Sequence, residues 1–195
     1  MNLLLKKDSI NVLAIKVYKD HPETRFDCND DWALSGIYRD AYLLALPKYH
    51  IENYGLTTDA DFNQNTARIR IAADVRRFLE PADEAAPLPQ LALRAELRDA
   101  DGQLVAQQQQ PVIWPNSDFM PEASLALPVK TARWWTAETP YLYQLTLSLL
   151  TDGQVVHTRQ QKYGLREVSI ENGVLKINQQ SVKIRGSAAT KSTPK

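Results

Sequence analysis

The sequence predicts an all-β protein whose main part is an antiparallel β-sandwich. Apolar and polar residues alternate with a period of two in many short segments, as in strands that bury one face. Asp-Gly and Asn-Gly pairs, which favour tight turns, stand between these segments. Helical patterns are poor by comparison. The best candidate, 74–80, ends at Pro81 before completing two turns, so we interpret it as a loop with at most a short helical turn.

The alternation can be followed strand by strand along the chain. Residues 91–97 alternate, 99–102 form a turn, and 103–109 return as the partner strand. The further strand candidates are 68–71, 145–149, 155–161, 168–171 and 174–177, with turns at 151–153 and at Asn172-Gly173. From a domain boundary at Pro47-Lys48 to about Val168 we count roughly seven strands, the number that an immunoglobulin-like sandwich needs.

Composition and charge exclude several classes of function. The chain has 195 residues, of which 44% are hydrophobic, and 23 basic residues balance 23 acidic ones. The zero net charge gives no electrostatic reason to expect nucleic acid or an anionic membrane as partner. No stretch resembles a signal peptide or approaches the roughly 20 apolar residues of a membrane span. The single cysteine, Cys28, excludes an intrachain disulfide and fits a reducing compartment, so we expect a soluble, cytoplasmic protein.

Three short motifs carry most of the functional information. They are the segment Trp32 to Arg39, the segment Trp135 to Tyr143, and the run from Gly164 to Gly186. In this order they resemble the W-x-x-SGI-[FY]-R segment, the W-x-x-E-x-P-x-L-Y segment and the barrel-leading hairpins of glycoside hydrolase family 2. Residues 11–17 resemble a late strand of the amino-terminal jelly roll of that family. The resemblance covers nearly the whole chain up to Gly186.

The resemblance implies three parts. Residues 1–46 would be the C-terminal part of a sugar-binding jelly roll, 47–168 the immunoglobulin-like β-sandwich, and 169–195 a hairpin linker and polar tail. The partners would be the missing catalytic barrel, the upstream sugar-binding strands and, in the full enzyme, a terminal β-D-galactoside cleaved with retention. β-Glucuronidases and β-mannosidases share the architecture, so a glucuronide or a mannoside stays open as the substrate. A homo-oligomer is also open, since 1–46 would leave an exposed strand edge.

The sequence departs from the family pattern at three places. Leu165 stands where the family usually has Phe, and Gln179 stands where it usually has Gly. The polar stretch 187–195 replaces the first barrel segment. We therefore expect the chain to contain no catalytic residues. Glycoside hydrolysis needs two paired carboxyl groups, which this family carries on a barrel of about 250 residues.

Other catalytic patterns fail as well. The three histidines, His21, His50 and His157, lie far apart in the sequence and lack metal-ligand spacing. Ser35 lacks the preceding glycine of a nucleophile elbow, and Cys28 has no base near it in the sequence. We expect no cofactor in this chain, although the resemblance implies sodium and magnesium for a full enzyme.

Asp30 is the residue to which the resemblance gives a role. It stands two residues before Trp32, like the carboxylate with which β-galactosidases of this family contact a galactose hydroxyl and a sodium ion. The resemblance therefore implies substrate and sodium binding by Asp30, only in the full enzyme. Otherwise Asp30 is a solvated turn carboxylate that caps local N–H groups. A register error of one residue would transfer the role to Asp31.

The remaining polar and aromatic candidates are interpreted as structural. For Trp134-Trp135 we expect packing, with one ring in the core and the other at a surface or interface, rather than stacking on a sugar. We expect packing for Trp114 as well. We expect Glu138 to fix a turn through backbone N–H groups, and Arg39 to bond to a carboxylate or carbonyl near a strand edge.

Two hypotheses of function follow. In the first, the chain is a non-catalytic scaffold that positions the loop of Asp30 against a barrel. In the second, it is a free-standing carbohydrate-binding or protein-interaction module, which its aromatic residues and Asp30 would serve.

Overall fold

The computed structural model describes residues 9–18, 36–37, 39–78, 88–113 and 121–183. Across these ranges the only regular elements are β-strands, so the all-β prediction is confirmed. No helix long and apolar enough to cross a membrane occurs in them. The strands are β1 (Tyr49–Asp61), β2 (Thr66–Arg77), β3 (Leu91–Arg98), β4 (Leu104–Val112), β5 (Glu122–Val129), β6 (Tyr143–Thr151), β7 (Gln154–Tyr163), β8 (Val168–Glu171), β9 (Val174–Ile177) and β10 (Gln180–Ser181).

The first seven strands form an antiparallel sandwich. One sheet has the order β1-β2-β5 and the other the order β4-β3-β6-β7. Alternating residues fill the core between the sheets. Those predicted from the sequence include Ile69 and Ile71 of β2, Leu93, Ala95 and Leu97 of β3, and Leu145, Leu147 and Leu149 of β6. Ala73 and Val75 continue the same buried face of β2. Burying each large side chain contributes about 1.5–3 kcal/mol, so this layer is the main stabilising feature of the sandwich.

The predicted tight turns are confirmed by their backbone angles. Asn172 and Gly173 join β8 to β9 with φ of 49° and 76°, the pair of positive values that a type I′ turn requires. Asp152 and Gly153 join β6 to β7 in the same way, with φ of 49° and 80°. The last three strands form a separate small sheet with the order β10-β9-β8. We call this sheet the hairpin.

The segment 74–77 corrects the sequence analysis. It was expected to be a loop or a short helical turn, but it is the end of β2. Asp74 pairs with Asn53 on one side and with Glu122 on the other, and Val75 is fully buried. Pairing with two neighbouring strands and burial of Val75 outweigh the weak helical pattern.

The chain divides into two compact units, Met1–Ala45 and Leu46–Lys195. The segment 11–17, which resembles a late strand of a jelly roll, is not a strand in the structure, and neither is 41–46. A strand is stable only when a neighbour takes its backbone hydrogen bonds, and none of the described strands pairs with these segments. The assignment of the first unit to a jelly roll therefore stays a prediction.

Candidate functional site

Two of the three sequence motifs meet where the sandwich joins the hairpin. The Trp135 amide donates a hydrogen bond of 2.8 Å to the carbonyl of Leu165, and Trp134 and Leu165 form an isolated parallel bridge. The Leu165 side chain is fully buried in the sandwich core. An aliphatic side chain therefore fills this position, where the resembled family usually has Phe. We call the contacts among Trp135, Gly164, Leu165, Arg166, Glu167 and Asn178 the junction.

Gly164 belongs to the junction because nothing larger fits. A Cβ atom built at residue 164 would lie 2.8 Å from two carbons of the Trp135 side chain and 2.9 Å from a third, closer than real Cβ atoms approach. Arg166 lies at 4.6 Å from the centroid of the Trp135 ring, a cation–π distance. The motif's glycine and arginine therefore have one structural purpose, which is to hold Trp135.

Asn178 ties the hairpin to this tryptophan. Its side-chain amide donates to the carbonyl of Trp135 at 2.9 Å, and its side-chain oxygen accepts from the amide of Glu167 at 2.9 Å. Its own backbone amide donates to the Glu167 carbonyl, also at 2.9 Å. Three hydrogen bonds from one residue thus connect the turn after β9 with the sandwich loop and with the start of the hairpin.

The turn that contains Asn178 explains why the family usually has glycine at the position of Gln179. Asn178 and Gln179 have φ of 50° and 66°, and the residues on either side of them, Ile177 and Gln180, are paired. Glycine tolerates this left-handed region without steric cost, whereas glutamine does not. The family's usual glycine therefore suits the backbone that the structure has at residue 179.

The loop of Trp135 is closed by a turn in which Thr136 makes the bonds. The Thr136 hydroxyl accepts from the Thr139 amide at 3.0 Å and lies 2.8 Å from the Thr139 hydroxyl. The Thr136 amide donates to the Thr139 carbonyl at 3.2 Å. The sequence predicts a turn-fixing role for Glu138, but Glu138 is exposed and the bonds found in this turn belong to its neighbours.

The aromatic end of the same motif is anchored in the sandwich. The Tyr143 hydroxyl accepts from the Arg133 amide at 2.9 Å, and the Tyr141 hydroxyl accepts from the Ala100 amide at 3.2 Å. The Arg133 guanidinium lies 4.0 Å from the centroid of the Tyr141 ring. Burial raises the pKa of Tyr143 above its usual value, as expected for a hydroxyl held in the core wall.

Trp134 packs away from Trp135, against the turn between β1 and β2. Its indole N–H donates to the Asn65 side chain at 2.9 Å, and its ring lies 4.6 Å from that of Phe62. Both tryptophans are half-buried and engaged in packing, as the sequence analysis expected. The expected division into one core ring and one surface ring is replaced by two rings that each cover part of the sandwich.

A groove of about 630 Å³ runs beside the junction. Its acidic lining residues are Asp59 and Glu167, and Asp59 is paired with Arg70 at 2.6 Å. On the hairpin, a hydrogen bond and the charge of Lys176 lower the pKa of the Glu171 carboxyl. A catalytic acid needs the opposite shift. Asp59 and Glu171 are thus each engaged with a basic side chain.

The structure describes only some of the other residues that were singled out in the sequence. Asp30, Asp31, Trp32, Ser35, Cys28, His21 and Trp114 lie outside the described residues. His50 and His157, which appear unrelated in the sequence, have ring centroids 6.1 Å apart. Among the described residues, no group of three His, Cys, Asp or Glu side chains could hold a metal ion.

Comparison with known proteins places these motifs in context. The profile described as glycosyl hydrolases family 2 matches residues 49–166, which is more than half of the chain. A β-galactosidase from Priestia megaterium (strain DSM 319 / IMG 1521) is 31% identical over 177 residues, which cover 90% of this chain and 16% of that protein. A β-galactosidase from Lactobacillus delbrueckii subsp. bulgaricus is 31% identical over 183 residues, with 93% and 16% covered. The chain therefore spans about a sixth of the length of these relatives.

Solved structures agree on the fold. A β-glucuronidase from Ruminococcus gnavus superposes with a TM-score of 0.55 at 22% identity, over 73% of this chain and 20% of that one. At this identity the likeness concerns the arrangement of the strands, and the matched part is again a small fraction of the larger protein.

Proposed function

The chain belongs to glycosyl hydrolases family 2, and from that premise we propose that it is a non-catalytic, domain-positioning part of a β-galactosidase. The β-galactosidases among its relatives support the galactoside as substrate, since they match nine-tenths of the chain. The acid and the nucleophile would lie on a barrel outside these residues. The proposed compartment is the cytoplasm, which the single cysteine favours.

The observation that carries this proposal is the junction. The Asn178 bonds to Trp135 and Glu167, together with the close contact at Gly164, fix the orientation of the hairpin relative to the sandwich. In the family the hairpin leads into the barrel, so a rigid junction would set the position of the barrel. Reacting groups held within fractions of an ångström depend on such support from outside the site.

The hairpin also presents an apolar face suited to a further domain. Val168 is paired with Ile177 and Ile170 with Leu175, so these four side chains share one face. Val168 is 55% exposed and Ile170 is 73% exposed. A small sheet of this size gains stability when such a face is covered. The proposed cover is the barrel of the full enzyme.

For Asp30 we propose contact with a galactose hydroxyl and with sodium in the full enzyme. A carboxylate oxygen is a suitable ligand for a hard cation. The described residues contain no metal cluster of their own, so the other ligands would come from the barrel. Magnesium in the full enzyme is proposed on the family resemblance alone.

The proposal is tested with a chimaera of the Priestia megaterium β-galactosidase in which this chain replaces the segment that it matches. The purified chain should not hydrolyse a chromogenic β-galactoside, whereas the chimaera should, with preference over the corresponding glucuronide and mannoside. In the chimaera, Asp30→Asn should raise KM and weaken the dependence on sodium, while Asp31→Asn serves as the neighbouring control. Turnover that copurifies with the isolated chain would contradict the proposal.

The positioning role has its own test in the same chimaera. Asn178→Ala removes two hydrogen bonds at the junction. It should lower kcat at least tenfold with little change in KM, because the barrel would be displaced while the contacts that bind the sugar remain. Asn63→Ala, in the exposed turn between β1 and β2, is the matched control and should be neutral. Equal activity of both variants would contradict positioning through Asn178. Millimolar binding of lactose to the isolated chain, measured by calorimetry, would favour a free-standing binding module instead.

A further inference from the structure

A bulge near the start of β1 frees one backbone peptide for an unusual contact. The pairing of β1 with β2 shifts between Ile51 and Asn53, so the intervening Glu52 has no partner in the ladder. The Ile51 amide instead donates to Nδ1 of His157 on β7 at 3.0 Å. The Arg159 guanidinium donates to the Ile51 carbonyl at 3.4 Å. We call these two contacts, which join the edges of the two sheets, the clasp.

The clasp requires a particular protonation state of His157. Because Nδ1 accepts the Ile51 N–H, it carries no proton, and the ring is neutral with its proton on Nε2. Burial lowers the pKa of His157 below its usual value, and the positive charge of Arg159 and the neighbouring His50 lower it further. Geometry and electrostatics therefore favour the same neutral form.

The neighbouring His50 has two oxygen partners. It is fully buried, its Nδ1 lies 3.1 Å from the Pro47 carbonyl, and its Nε2 lies 3.1 Å from a carboxylate oxygen of Glu52. A neutral imidazole has one N–H, so two oxygen acceptors require a further proton between His50 and Glu52. Arg76 lies 3.7 Å from the other oxygen of Glu52.

Basic groups from several elements lie in this part of the sandwich. His50 lies on β1, Arg76 and Arg77 end β2, Arg159 lies on the same strand as His157, and Lys48 precedes β1. Glu52 contacts both His50 and Arg76. A proton added to His157 would lie close to the positive charge of Arg159, which opposes its uptake.

We propose that His157 is a proton-operated release for the clasp between β1 and β7. Above about pH 6.5 its unprotonated Nδ1 accepts the Ile51 N–H. When the ring takes up a second proton, the acceptor is lost and the new positive charge lies close to that of Arg159. The start of β1, which follows directly on the first unit of the chain, then separates from β7. The release is a property of the sandwich itself and is independent of the function proposed above.

The sign of the pH dependence follows from the lowered pKa of His157. The unfolded chain binds a proton at this histidine near pH 6.5, while the folded chain resists it to lower pH. The stabilisation is therefore complete above about pH 6.5 and is lost as the pH falls through the folded value. The clasp should open on that same acidic limb.

Amide hydrogen exchange at Ile51 tests the release in the full chain. Between about pH 7.5 and pH 5, the protection factor of Ile51, corrected for the intrinsic rate, should fall roughly tenfold or more, while that of Leu147 in the core should not. His157→Asn places an uncharged oxygen near the position of Nδ1 and should keep Ile51 protected at both pH values. His157→Phe has no acceptor and should leave Ile51 poorly protected at both.

Two results would overturn the release. One is equal protection of Ile51 in the wild type across this pH range. The other is an acid loss in His157→Asn as large as in the wild type, which would assign the effect to His50 and Glu52. Ring ¹⁵N chemical shifts of the wild type give a second measurement that does not depend on the variants folding. They should show His157 protonated on Nε2 alone at pH 7.5, and protonation on Nδ1 there would equally exclude the release.

Discussion

β3 of the sandwich and β8 of the hairpin show the same alternation in sequence but differ in what the alternation achieves. Leu93, Ala95 and Leu97 on β3 are completely buried, whereas Val168 and Ile170 on β8 are more than half exposed. The sandwich strands face a second sheet, and the described residues provide no such layer for the hairpin face. A period of two therefore predicts a strand with one apolar face, while burial of that face depends on a partner that the local sequence does not contain.

The largest expected effect comes from comparing one substitution in the sandwich with one substitution in the hairpin. Leu147→Ala empties a position in β6 that is 1% exposed and should destabilise the sandwich by about 2–5 kcal/mol. Ile170→Ala on the hairpin should cost less than about 0.5 kcal/mol, because the side chain is already 73% exposed. Urea unfolding of the isolated chain measures both. Equal losses would mean that the hairpin face is covered in solution, by the first unit or by a second copy.

The next effect tests the contact that joins the two regions. Gly164→Ala places a Cβ atom 2.8 Å from the Trp135 side chain and should cost about 1–3 kcal/mol, since the tryptophan or the loop must move. Gly55→Ala is the matched control, because it lies in β1 with nothing within 4 Å of the added atom. The difference between the two midpoints of urea unfolding gives the cost of the close approach. A neutral Gly164→Ala would show that Trp135 is not fixed by this contact.

The same comparison shows what could be predicted from the sequence. The alternating strands and the Asn172-Gly173 turn were predicted correctly, because each depends on residues adjacent in the chain. The end of β2 at 74–77 was missed, because its strand form depends on pairing with β1 and β5. Local patterns thus predict many of the strands, but β1 and β5 were not among the named candidates, and pairing between distant segments was not predicted.

The junction and the clasp were missed for a related reason. Nothing near Asn178 indicates a contact with Trp135, 43 residues away in the sequence. His50 and His157 likewise meet only because β1 and β7 are edge strands of facing sheets. The family resemblance correctly singled out Trp135, Gly164 and Arg166, and the structure gives these motif residues a shared role in holding the hairpin. The signal for Asn178 was indirect: it precedes Gln179, where the family usually has glycine and the backbone turns to positive φ.

The smallest expected effect concerns that turn, and it tests how much the turn contributes to the stability of the hairpin. Gln179→Gly relieves a glutamine held at a φ of 66° and should stabilise the hairpin by about 0.5–1 kcal/mol. Gln180→Gly is the control, because residue 180 is a strand residue paired with Ile177, where glycine should destabilise by a similar amount. The reporter is the Val182 amide, which donates to the Leu175 carbonyl across the hairpin at 2.9 Å. Its exchange should slow severalfold in Gln179→Gly and quicken in Gln180→Gly. The same change in both variants would mean that the turn at 178–179 does not limit the opening of the hairpin.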